Sequence, residues 1–239
     1  MSANIDKVLT DLKLFAPAAV ITHIIYKITP TQSAYAFYVR QMKTAEGHAV
    51  RALYLYTAMA NVARLKGDDE LLAVCQTLFS DITTMKMYAT GGVGSSFNCE
   101  TFIFPYHLPN ETAYAETCAA IALAFFCSRL SGAQNRAVYH EVFEQAVYNG
   151  VLSGMSADGK GFFYVNPLET HAASFDYNSS LKTKLFHPLP ECLEVFDCAC
   201  YPPNLTRFIA QIGVFAYDEE GQAVARLSCA CLLGAAAFR

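Results

Sequence analysis

Residues 49–63 read AVRALYLYTAMANVA, a run interrupted mainly by Arg51 and Asn61. A helix of this composition is apolar on nearly every side, so it belongs inside a layered helical assembly rather than on a surface. Gly67 ends the run. Asp68-Asp69-Glu70 then supplies acidic groups to the first turn of a second helix reaching about residue 85, where they complement the helix dipole.

Working outward, the cluster Gly91-Gly92-Val93-Gly94-Ser95-Ser96 breaks the helical pattern and predicts a loop. The spacing predicts a third helix over about 112–130 and a fourth over 136–148, stopped by Asn149-Gly150. Asp158-Gly159, between Val151-Leu152 and Phe162-Phe163-Tyr164-Val165, predicts a small hairpin inserted between helices. Pro202-Pro203 opens a fifth helix to about 217, since proline is tolerated in a first turn. On the amino-terminal side the pattern is weaker, a helix over 5–15 followed by a segment broken by Pro17 and Pro30. No motif recurs at a fixed period, which favours a barrel of paired helices over a solenoid. The expected fold is therefore mainly α, a partial barrel of the α/α toroid type with a small inserted β-hairpin. Its expected divisions are a poorly defined segment 1–45, a partial catalytic barrel 46–218, and a tail 219–239 that could begin a β-sandwich.

Composition narrows the function classes. The chain of 239 residues is 54% apolar and only 16% charged, against about 25% charged in an ordinary domain. Its net charge of -4 is spread thinly and no lysine or arginine run occurs, which excludes the electrostatic footprint of a nucleic-acid binder. The apolar stretch 14–26 contains Pro17 and His23 and is shorter than the roughly 20 residues of a spanning helix, so no membrane role is expected. Nine cysteines, including the tight pairs Cys198/Cys200 and Cys229/Cys231, suit metal ligation or a reduced compartment better than a disulfide framework. No signal peptide is recognisable, and the expectation is a soluble, cytoplasmic protein.

Thiols and carboxylates recur together at Cys99-Glu100, Glu116-Thr117-Cys118 and Cys198-Ala199-Cys200. Thiolate sulfur and carboxylate oxygen are both zinc ligands, and Glu116 and Cys118 could reach one ion if the first turn of their helix is irregular. Equally, Cys118 and Cys127 could be small core residues. Cys200 ahead of the double proline lies near a helix N-terminus, where thiolate is favoured. His48 and Tyr164 could be core side chains or site residues. Arg51, on an apolar helix, requires a partner or a water-filled cavity.

The segments Gly47-His48-Ala49-Val50-Arg51-Ala52, Met87 through Ser95, Leu108-Pro109-Asn110-Glu111-Thr112 and Tyr114-Ala115-Glu116-Thr117-Cys118-Ala119 closely resemble the β-L-arabinofuranosidase family, glycoside hydrolase family 127. So do Tyr148-Asn149-Gly150, Phe163 through Glu169 and Cys198-Ala199-Cys200, in matching order from about 46 to 217. The resemblance implies a barrel of paired helices and retaining cleavage of terminal arabinofuranose in plant-type glycans or glycopeptides. It assigns Glu100 as general acid/base, Cys200 as nucleophile, Glu116, Cys118 and Cys200 as zinc ligands, and His48 and Tyr164 as sugar contacts. Zinc would keep the sulfur deprotonated at neutral pH.

Three departures from the family pattern stand out. Tyr201 occupies the position of a further zinc-binding cysteine, which weakens or empties the metal site unless Cys198 or water completes the shell. Cys99 replaces a glycine before the acid/base. Family members are also longer, with additional barrel helices and a β-sandwich that are not recognisable here. A rival expectation is accordingly a truncated, inactive remnant or a helical module that docks on a partner, with association through exposed apolar faces such as 49–63. A structural zinc protein is a third.

Overall fold

The computed structural model describes residues 39–169, 192–194 and 200–216. The expected helix over 5–15, residue Cys198 and the tail after 219 lie outside the described residues. Two strand residues, β1 (Gly47–His48), lead directly into α1 (Ala49–Lys66), and α2 (Asp69–Met85) follows after a two-residue link. Gly67 closes α1 in the left-handed conformation, and the Asp68 carboxylate caps α2 by accepting from the Leu71 amide. A link this short forces the two helices antiparallel.

Next come a 3₁₀ turn (Asn98–Glu100) and strand β2 (Thr101–Phe102), then α3 (Thr117–Ala133) and α4 (Ala137–Ala146). The chain ends its described course in α5 (Tyr201–Ala210) and α6 (Ile212–Ala216). The principal packing is α1 on α3, with α2 against α1 and α4 and α5 against α3. The architecture is thus mainly α and built from helix pairs, as the sequence predicts.

Helix α3 is the centre of the core, buried continuously from Thr117 to Cys127. Its alanines keep neighbouring helices close, and its Phe125 and Phe126 reach Tyr54 and Tyr56 of α1 at ring separations of 6.2 and 5.9 Å. Phe125, Phe143, Phe208 and Phe215 gather α3, α4, α5 and α6 into one aromatic cluster. Aromatic pairs of this kind add to simple area burial. Helix α1 is largely covered by these neighbours, so the face at 49–63 is not bare, contrary to the expectation that it would drive association.

The structure corrects three boundaries. Helix α3 starts at Thr117 rather than near 112, because residues 113–115 are drawn into backbone hydrogen bonds with neighbouring loops: Tyr114 N–H to Ser95, Ala115 N–H to Gly94 and Asn166 N–H to Tyr114. Asn149-Gly150 does not stop the fourth helix. The winding widens into a π turn (Val147–Val151) and then tightens into a 3₁₀ turn (Leu152–Gly154), so Val151-Leu152 is helical and not a hairpin arm. The turn at Asp158-Gly159 does form, but its arms meet in a single bridge, Met155 to Phe162, and Phe162 pairs onward with Leu193. The two-stranded ladder lies elsewhere, between β1 and β2.

Gly150 explains why the helix continues. A Cβ there would stand 2.6 Å from the Ala120 Cβ of α3, so only glycine lets this turn press on the central helix. Gly150→Ala is expected to destabilise the protein by about 1–3 kcal/mol through overpacking, read as a lower urea midpoint with an unchanged slope.

Candidate active site

The β1–β2 ladder brings the first two site residues together. Its antiparallel register sets His48 opposite Thr101, and Glu100 directly precedes Thr101. His48 Nε2 consequently lies 2.6 Å from Glu100 Oε2, while the Tyr114 hydroxyl donates to Glu100 Oε1 at 2.8 Å. Burial holds the His48 pKa below its ordinary value, and the nearby Arg51 charge acts in the same direction against the raising effect of Glu100. A neutral imidazole carrying its proton on Nε2 therefore donates to the carboxylate, while buried Nδ1 has no hydrogen-bond partner.

Two helix N-termini meet on the other side. Glu116 precedes α3 and Cys118 lies in its first turn, whereas Cys200 precedes α5, whose start is fixed by Pro202-Pro203. Cys200 Sγ is 3.6 Å from Glu116 Oε1, to which it can donate, and 3.9 Å from Cys118 Sγ. The Tyr164 hydroxyl stands 3.2 Å from the same sulfur. One ligand-type atom from each of Glu116, Cys118 and Cys200 falls within 4.8 Å of the others, and the same holds for His48, Glu100 and Glu116. Glu116 thus links the two groups.

Electrostatics make this a costly assembly. Burial pushes the Glu116 carboxyl well above the usual range, helped by the neighbouring Cys200 and Glu100. The hydrogen bond that the Cys118 thiol shares with Cys200, with burial and the Glu116 charge, does the same to that thiol. Glu116 Oε2 is buried without a hydrogen-bond partner. A buried carboxylate oxygen beside two thiols is a donor set that a divalent cation satisfies, because its charge reverses the penalty on ionising all three.

Tyr164 and Tyr201 form the apolar wall. Their rings meet edge to face at 5.6 Å, Tyr201 also packs on Phe162 at 5.4 Å, and both belong to a small buried cluster with Tyr114 and Cys118. Burial raises the Tyr201 phenol far above neutral pH, so it remains protonated and a poor metal ligand. Thr117 ties this wall to α3, its amide donating to Tyr164 O at 3.1 Å and its hydroxyl to Phe163 O at 2.8 Å. Asn166 adds bonds to Ala115 O and Thr117 Oγ1.

All six residues singled out from the sequence, His48, Glu100, Glu116, Cys118, Tyr164 and Cys200, therefore converge. Sequence reasoning missed Tyr114, which holds Glu100; its place two residues before Glu116 in a motif already noted was the available signal. Arg51 is exposed and lines a cavity with Glu100, which resolves how its charge is accommodated.

Backbone strain accompanies Glu100. Cys99 and Glu100 have φ of 57° and 54°, the left-handed region that costs a side chain roughly 1–2 kcal/mol. Against the lower backbone entropy of non-glycine residues in the unfolded chain, Cys99→Gly is expected to give a net stabilisation of up to about 1 kcal/mol. Urea denaturation measures it, and a loss of stability would mean that the Cys99 side chain holds the turn.

Comparison with known proteins agrees with this geometry. Residues 7–214 match the family described as β-L-arabinofuranosidase, GH127 catalytic domain. The chain is 39% identical over 195 residues to a non-reducing end β-L-arabinofuranosidase of Bifidobacterium longum subsp. longum, covering 82% of this chain and 29% of that protein. A GH127 β-L-arabinofuranosidase from Geobacillus stearothermophilus T6 superposes with a TM-score of 0.70 at 50% identity, over 76% of this chain and 28% of its own. A further GH127 β-arabinofuranosidase structure gives 0.65 at 37% identity, over 75% and 26%. The chain spans less than a third of the length of each of these relatives. It belongs to the GH127 β-L-arabinofuranosidase family.

Proposed function

We propose that this chain carries the reacting groups of a retaining glycoside hydrolase that removes terminal β-L-arabinofuranose from a glycan or glycopeptide. The observation that supports this most directly is the convergence of a hydrogen-bonded carboxyl, Glu100, with the sulfur of Cys200 around buried Glu116.

In the first half-reaction Glu100 gives its proton to the departing glycosidic oxygen as the bond from that oxygen to the anomeric carbon breaks. Cys200 Sγ, as thiolate, bonds to the anomeric carbon, leaving a thioglycoside. In the second, Glu100 takes a proton from water, the water oxygen bonds to the anomeric carbon and the thiolate leaves. Tyr114 and His48 hold the two oxygens of Glu100, so the carboxyl cannot rotate away from the leaving group. Tyr164 is within hydrogen-bond distance of the attacking sulfur and can stabilise its negative charge.

Glu116, Cys118 and Cys200 are the residues that would hold zinc. At a zinc–sulfur distance of about 2.3 Å and tetrahedral angles, two thiolates stand about 3.8 Å apart and a thiolate and a carboxylate oxygen about 3.6 Å. The corresponding separations here are 3.9 and 3.6 Å. Bound there, the ion would supply a positive charge that keeps Cys200 deprotonated at neutral pH.

One observation favours a second reading, a noncatalytic helical module: the ring of Tyr201 fills the wall beside Cys118 where a further thiolate would stand.

Two measurements separate the readings. Glu100→Gln and Cys200→Ser are each expected to lower turnover of an aryl β-L-arabinofuranoside at least about 100-fold, with retained anomeric configuration in the wild-type product by NMR; a wild-type chain without turnover sinks the hydrolase reading. In weakly buffered solution zinc is expected to release protons on binding, and Tyr201→Cys to bind it at least about tenfold more tightly by restoring a soft ligand. Equal affinities would mean that the shell is already complete with Tyr201 in place.

A further inference from the structure

The roles above leave part of the pocket unexplained. A cavity of about 480 Å³ is lined by His48, Arg51, Phe97, Cys99, Glu100 and Thr101. Glu100 is among these residues and Cys200, Cys118 and Glu116 are not, so the cavity borders the acid rather than the sulfur. In a retaining hydrolase the nucleophile and the leaving group occupy opposite sides of the anomeric carbon, and the acid stands beside the leaving group. Whatever departs with the glycosidic oxygen must therefore meet this wall.

The wall has two distinctive members. Ser96 and Thr101 exchange backbone hydrogen bonds of 3.3 and 3.1 Å, closing a four-residue tip in which the Glu100 amide also donates to Phe97 O at 3.3 Å. Phe97 and Glu100 are the first and last residues of that tip, so the turn holds their backbones close together and both line the cavity. Phe97 is 53% exposed. A single exposed aromatic is unremarkable alone; one on a cavity wall shared with a reacting carboxyl offers a flat apolar surface to a leaving group.

Arg51 follows His48 by three residues at the start of α1, on the same face of the chain as it enters the helix. Its charge reaches His48, whose protonation it disfavours. Among the described residues no carboxylate forms an ion pair with it. A cation in the first turn also opposes the helix dipole, so helix stability does not account for the residue. It leaves a guanidinium on the cavity wall, with a planar fork suited to a carboxylate.

We propose that Arg51 and Phe97 form a leaving-group subsite selective for a uronic acid, with the sugar carboxylate on the Arg51 guanidinium and a C–H face of the pyranose ring on Phe97. This rests on the hydrolase reading. Other segments can close the pocket further without altering what these two side chains offer.

The test compares β-L-arabinofuranosyl glucuronic acid with its methyl ester, two compounds that differ at the carboxylate. Turnover is measured for the wild-type chain, Arg51→Gln, Arg51→Lys and Phe97→Ala, and binding of both compounds by calorimetry in the Glu100→Gln background of each. An exposed charge pair is worth at most about 1 kcal/mol, so wild type should prefer the acid roughly fivefold at low salt. The preference should shrink in about 0.5 M salt, fall to near unity in Arg51→Gln and persist in part in Arg51→Lys. Phe97→Ala should raise KM and Kd for both compounds while leaving their ratio in place. A wild-type ratio of one, or a full preference in Arg51→Gln, overturns the subsite. If wild type hydrolyses neither compound, the hydrolase reading fails, and the calorimetric ratio still decides the subsite: preserved and Arg51-dependent it stands as a binding site, absent it is overturned.

Discussion

The burial of the first turn of α3 is the constraint on which the rest of the site depends. Because the chain is buried without a break from Ala113 to Cys127, the Glu116 carboxyl and the Cys118 thiol cannot reach bulk water. An isolated ionised carboxylate in such surroundings is expensive, so the groups around it must supply compensation. Here the compensation comes from other segments: Cys200 bonds to Glu116, Tyr164 stands on Cys200, and Thr117 is tied to the backbone that carries Tyr164. Remove the depth of α3 and none of these groups has reason to converge.

The same constraint explains where the fold abandons regular structure. Residues 113–116 stay non-helical because their backbone is claimed by Gly94, Ser95 and Asn166, and Ala115 adopts a φ of 39°. Gly94 has φ 81° and lies so close to α1 that a Cβ would stand 2.8 Å from that of Ala49, which allows the glycine loop to run between α1 and the segment entering α3. Strain at Cys99 and Glu100 belongs to the same pattern, in which strained positions gather at the candidate site while the helices behind it supply the stability.

Charge is distributed with equal economy. The side around Glu100 holds a neutral-leaning imidazole, a carboxyl and a guanidinium on or near the surface, whereas the sulfur side holds the Glu116 carboxyl and the Cys118 thiol in the interior, with only Cys200 reaching the surface. Water can screen the first group, so its members act as adjustable contacts. The second is screened poorly, and a cation there would exert far more influence than it could at the surface.

Much of the fold was legible locally. The largely apolar run at 49–63 required a buried helix, Gly67 marked its end, and Pro202-Pro203 marked the start of α5, because each rests on composition or backbone geometry within a few residues. The six site residues were identified from the ordered motifs that resemble a family, since thiol and carboxyl spacing alone left core and ligand readings open. Only the tertiary structure decided the start of α3, the continuation of α4 past Asn149-Gly150 and the two-residue ladder that sets His48 beside Glu100, for each is imposed by a segment far away in sequence. Tyr114 and Arg51 acquired their places for the same reason. A hydrogen bond to Glu100 and a position on a cavity wall are properties of three-dimensional neighbours, which no local periodicity encodes.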